Sequence, residues 1–165
     1  PFAIHAGEPD ATDIHPALDL DPDLLVHMVH AEREHLDRVA EQSVPVAVCP
    51  RANTVLGVGD PPIRELLDHT TVALGTDNAM LNSPSMFREM AYAAKRFDVT
   101  DREVLRMATA AGAEIAGLDC GVIEPGRRAA LVVIDGASND LADTEDPVRA
   151  VVRRASGLDV DRVVV

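Results

Sequence analysis

The chain has 165 residues, 47% of them apolar, a formal net charge of −13, and only 2% aromatic residues with no tryptophan. The apolar content excludes general disorder and allows a sizeable core of Val, Ala and Leu. The acidic balance and the lack of stacking side chains exclude a nucleic-acid-binding role.

Lysine is nearly absent: Lys95 stands alone beside fourteen arginines. An acidic, lysine-poor surface suits high salt, and acidic drift in a GC-rich genome explains it equally well. Cys49 and Cys120 are too few and too far apart for a disulfide framework or a zinc ribbon. No apolar stretch reaches transmembrane length and no basic-apolar leader is present, so the expectation is a cytoplasmic protein without a membrane partner. The sequence begins at Pro1 and enters a strand at once, the pattern expected of a piece of a longer polypeptide.

Four short apolar runs end in polar or metal-competent residues. Phe2–Ile4 ends in His5, Leu24–Val26 in His27, Val46–Val48 in Cys49, and Thr71–Leu74 passes through Gly75-Thr76 to Asp77. Continuous apolar runs are expected of strands covered on both faces, and polar residues just past successive parallel strands line an α/β-barrel rim. The spacings, 22, 22 and 28 residues, each fit one strand, one helix and two loops. The expectation is four consecutive β/α units with their chemistry at one rim.

Between the runs, Pro9, Asp10 and Asp13 lead into a short helix before Leu20, and Glu32–Gln42 is predicted as an amphipathic helix. Cys49–Asn53 is expected to be a loop from its Pro and Asn, and Leu56–Pro62 a second loop before a helix over 63–68. Ser83-Pro84 opens a long helix to Phe97, with Met80, Met86 and Met90 expected in the core. Thr100 with Glu103 forms a capping box for a helix to about Ala111, and Gly112 begins another short helical segment to Gly117. From residue 118 the β/α rhythm stops. A strand at 129–134, a turn-rich stretch, an amphipathic or strand-like segment at 147–155 and a strand at 160–165 suggest a separate small β element. The expected division is 1–117 and 118–165.

His5 and Glu8 form a His-x-x-Glu pair at a strand end. Neutral imidazole suits Zn²⁺ or Fe²⁺, and a carboxylate beside a metal can move protons; a solvent-facing loop pair is the alternative. His27 occupies the position equivalent to His5, as a ligand, a water-orienting base or a structural histidine. Asp77 follows a buried strand, where a carboxylate is costly unless it binds a cation or is well hydrogen-bonded; a helix N-cap is the other reading. His15, His30, His35 and His69 are expected in surface or supporting roles. Cys49 is read as a small buried residue at the rim rather than a thiolate nucleophile.

Taken in order, His5-Ala-Gly-Glu8, Leu25-Val-His27-Met-Val-His30, Val48-Cys-Pro-Arg-Ala-Asn53, Leu74-Gly-Thr-Asp77 and Pro125-Gly-Arg-Arg-Ala129 resemble the amidohydrolase superfamily. The nearest branch holds cytosine deaminases, chlorohydrolases and adenosylhomocysteine deaminases. The resemblance implies the C-terminal half of a (β/α)₈ barrel, strands five to eight, with the tail in a small β-sandwich. It implies one divalent metal ion, Zn or Fe, held by His5 and Asp77. Glu8 would contact the substrate ring and, with Asp77, handle protons, His27 would orient the attacking water, stabilise the tetrahedral intermediate or join a second metal, and Asn53 would lie by the substrate.

The implied reaction is hydrolytic deamination of a nitrogen heterocycle, with a metal-activated water attacking an amidine-like carbon and ammonia leaving. Loss of chloride or of an amide amine is the first alternative, and a non-catalytic α/β scaffold module the second. The family's strand-one His-x-His is absent here, so the expected partners are a heterocyclic substrate and the N-terminal half of the barrel, with self-association left open. Ala130 stands where the family often has Asp.

Overall fold

The four apolar runs are strands of one parallel sheet. The computed structural model describes residues 1–165, with β1 (Ala3–Ala6), β2 (Leu24–His27), β3 (Val46–Val48) and β4 (Val72–Leu74) hydrogen-bonded in sequence order. The pairing sets Ala6 beside His27 and Val48 beside Leu74, so the polar ends of neighbouring strands stand close together. Each connection carries helix: α1 (Ile14–Leu18), α2 (Arg33–Gln42), then α3 (Pro50–Leu56) and α4 (Ile63–His69) in succession. Parallel strands require such crossovers, which cover the sheet. Leu25, Val46, Val48 and Val72 are accordingly buried with Leu36, Val39, Ile63 and Leu66 in the main core.

Beyond β4 come α5 (Met86–Arg96), α6 (Asp101–Met107) and α7 (Ala110–Ile115). Ser85 caps α5, whose buried face carries Glu89, Met90, Ala93 and Ala94. Thr100 and Glu103 close the expected capping box on α6. Arg64 reaches across from α4 to Glu103, with Nη1 2.8 Å from Oε1. Backbone donation from Thr100, followed by the Arg64 contact, holds the Glu103 carboxyl down at about 2.

The tail folds as β5 (Leu131–Ile134) paired antiparallel with β6 (Val160–Val164), with α8 (Pro147–Arg154) between them. α8 packs on α5 and α6 and sends Val152 into the main core. No helix is long and apolar enough to cross a membrane.

Four expectations change. Cys49–Asn53 is not a loop: Pro50 occupies the first turn of α3, where its missing N–H costs nothing, and the helix ends at Gly57. The helix begun at Thr100 stops at Met107 rather than Ala111, because Ala108 and Thr109 form a turn and Thr109 leaves helical geometry; Gly112 lies inside α7. Of the two alternatives for 147–155 the amphipathic one holds and the strand-like one does not: the segment is a helix, with Asp146 accepting the Arg149 N–H as N-cap. Met80 is 91% exposed, whereas Met90 alone of the three expected methionines is buried.

Candidate active site

His5 comes from β1, Glu8 from the loop after it and His27 from the end of β2, and the three side chains meet. The loop is fixed by Gly7, which sits at φ +66° with Ile14 Cδ1 only 2.8 Å from where a Cβ would be. Its N–H donates to Asp13 Oδ1 at 2.7 Å. Left-handed geometry and the close approach both demand glycine there. Glu8 is thereby turned back over the strand ends.

His27 is fully buried and itself adopts φ +79°. Its Nδ1 is 3.1 Å from Asn53 Oδ1, and its Nε2 is 3.0 Å from His5 Nδ1 and 3.7 Å from Glu8 Oε2. Asn53 Oδ1 can only accept, so the Nδ1 of His27 carries the proton and Nε2 presents a lone pair toward His5 and Glu8. The ligand atoms of His5, Glu8 and His27 lie within 4.8 Å of one another. Imidazole nitrogen and carboxylate oxygen are the donors that zinc or iron takes, and the 3.0 Å between His27 Nε2 and His5 Nδ1 is a hydrogen-bond separation.

Asp77 follows β4 across the sheet from β1, at φ +54°. Its carboxylate is not within the His5–Glu8–His27 group. No helix begins after it, so it is not an N-cap. Gly75 has Cys49 Sγ 3.0 Å from its missing Cβ, so the β4 end passes tightly over β3. Burial pushes the Cys49 thiol up to about 12, aided by the nearby charges of Asp77, Glu89 and Glu8 and opposed by a backbone hydrogen bond from Asp77. Cys49 is thus a packing residue, and the thiolate reading is discarded.

Asn53 is fully buried and bonded to His27, and its Nδ2 has no partner. His35 is buried rather than at the surface, and its Nδ1 accepts the Glu32 N–H at 3.0 Å. Sequence reasoning missed Arg51 and Glu89. Glu89 is fully buried beside the rim, and Arg51 Nη1 lies 3.3 Å from its Oε1. Desolvation pushes the Glu89 carboxyl up to about 7 despite the guanidinium. The available signal was Glu89's place on the same helical stripe as Met86, Met90 and Ala93. A cavity of about 560 Å³ between β5 and helices α5 and α6 has no titratable lining and offers no such chemistry.

Residues 4–165 match the Amidohydrolase family model. A putative aminohydrolase of Archaeoglobus fulgidus is 36% identical, over 99% of this chain and 46% of its own length. A 5-methylthioadenosine/S-adenosylhomocysteine deaminase of Haloarcula marismortui is 38% identical, over 88% of this chain and 36% of its own. The zinc complex of atrazine chlorohydrolase from Arthrobacter aurescens superposes with a TM-score of 0.83 at 28% identity, over 99% of this chain and 42% of the other. The chain spans less than half the length of each of these relatives.

Proposed function

Because this chain belongs to the amidohydrolase family, we propose that it supplies one half of the active site of a metal-dependent hydrolytic deaminase acting on a nitrogen heterocycle. In this reading β1 to β4 are barrel strands five to eight, and residues 118–165 contribute β5 and β6 to a small β-sandwich while α8 packs back on α5 and α6. The remaining strands, with the other ligands, come from the rest of the polypeptide. The observation that carries the reading is the convergence of His5, Glu8 and His27 at the ends of two adjacent parallel strands. Deaminases among the relatives and zinc in the chlorohydrolase neighbour support it.

His5 and Asp77 would hold one divalent ion, and imidazole with carboxylate suits zinc or iron. When bound, such an ion lowers the pKa of a coordinated water and polarises the carbon under attack. The residues then divide the work. His27, its Nδ1 proton committed to Asn53, offers Nε2 to orient the attacking water. Glu8 passes one of the water's two protons to a ring nitrogen of the substrate, and Asp77 takes the other and returns it to the departing amine. Water adds to the amidine-like carbon, the C–N bond breaks, and a carbonyl and ammonia remain.

A second reading keeps the site and exchanges ammonia for chloride, favoured by the likeness to the chlorohydrolase. The full polypeptide, loaded in turn with zinc and iron, should release ammonia from purine, pyrimidine or aminotriazine substrates. Chloride release from chlorotriazines without ammonia from any of them selects the second reading. Release of neither refutes both.

A further inference from the structure

The segment between Asp77 and α5, residues 78–85, has neither helix nor strand. Asn78 builds a turn within it, its Oδ1 accepting the Met80 N–H and its carbonyl the N–H groups of Leu81 and Asn82. One side chain from elsewhere in the fold hydrogen-bonds this segment. Arg51, in the first turn of α3, donates through Nη2 to Asn82 Oδ1 at 3.1 Å and through Nη1 to the Ser83 carbonyl at 3.4 Å.

Arg51 is itself held. Its Nη1 reaches Glu89 Oε1 at 3.3 Å, and its backbone N–H reaches Oε2 at 3.4 Å. Glu89 is fully buried, and the Arg51 side chain is 14% exposed. A buried ion pair adds little net stability, because desolvation offsets the attraction, but it fixes direction. The fork geometry of guanidinium lets Arg51 bond the carboxylate, the amide and the carbonyl at once, which an ammonium on a flexible stem does not match.

We propose that Arg51, anchored by Glu89, is a positioning residue that latches segment 78–85 to the end of β3 and so sets where Asp77 stands relative to His5, Glu8 and His27. The latch stands on these bonds alone, and its catalytic consequence rests on the function proposed above.

Asn82→Ala separates the latch from the fold, since it removes the shorter of the two bonds Arg51 makes to this segment while leaving the buried Arg51–Glu89 pair intact. In the full polypeptide, amide exchange across 78–85 should quicken about tenfold, the effect of losing one hydrogen bond of ordinary net strength. Exchange in β2 and β3 should stay as it was, and kcat should fall about tenfold with little change in KM. Asn82→Asp, which keeps an acceptor for Arg51, should restore both readouts, whereas Arg51→Lys should not. Unchanged exchange in Asn82→Ala overturns the latch. Faster exchange with unchanged kcat overturns its positioning role. A wild-type protein that releases no ammonia refutes the function proposed above instead, and the exchange comparison still decides the latch.

Discussion

Asn53→Leu tests whether Asn53 acts through His27. The side chain is fully buried, its Oδ1 accepts from His27 Nδ1 at 3.1 Å, and its Nδ2 is unpartnered. Leucine has nearly the same volume. It removes one buried group without a partner and creates another, the Nδ1–H of His27. Each orphaned group costs about 1–3 kcal/mol, so the two changes offset and global stability should move by no more than about 1 kcal/mol. The imidazole, by contrast, loses the acceptor that fixes its tautomer. Losing a partner of this kind typically lowers metal affinity or activity by about 10–100-fold. Urea unfolding of the full polypeptide, zinc affinity by competition with a chelator, and steady-state ammonia release measure the three quantities. A fall in kcat with KM nearly constant is expected. An effect confined to KM and varying between substrates would refute the reasoning, and would place Asn53 against the substrate, as the family resemblance implied.

Gly75→Ala should destabilise the protein by roughly 1 kcal/mol or more through contact with Cys49 Sγ, and the Gly75→Ala/Cys49→Ala double variant should recover part of the loss in a denaturant midpoint. Glu89 holds its proton more tightly folded, at about 7, than its ordinary 4.5. The stability this contributes is full below about pH 4.5 and is lost as pH rises through 7, so Glu89→Gln should flatten the urea-midpoint profile across that window. Glu103 behaves in the opposite sense. Its contribution is present above about pH 4.5 and lost as pH falls toward 2, and Thr100→Ala should cost about 1 kcal/mol at neutral pH and shrink that acid-side loss.

The strand ends were legible because a buried parallel strand is a short apolar run, and His5, His27, Cys49 and Asp77 each break one. The meeting of His5, Glu8 and His27 follows from register, which places neighbouring strand ends side by side. α3 was misread because Pro50 and Asn53 look like breakers when taken singly. The N-terminal position of Pro50 makes it a helix opener, and Asn53 is spent on His27 rather than on a turn. Met80 was misplaced because apolar character does not say which side of a turn faces water. Glu89 was overlooked because a charge on a helix is ordinarily solvated, and only its Arg51 partner on a distant segment shows otherwise. Long-range pairing of this kind leaves no trace in local spacing.

The scarcity of aromatic residues has a practical consequence at one contact. Tyr92 is the single tyrosine of this chain and there is no tryptophan. Its hydroxyl sits 2.6 Å from Thr54 Oγ1, joining α5 to α3 one residue past Asn53. Tyrosine emission from this chain therefore arises at one contact, between the helix that carries Glu89 and the helix that carries Arg51 and Asn53. A change in its intensity or lifetime reports the spacing of those two helices within this chain without any introduced label.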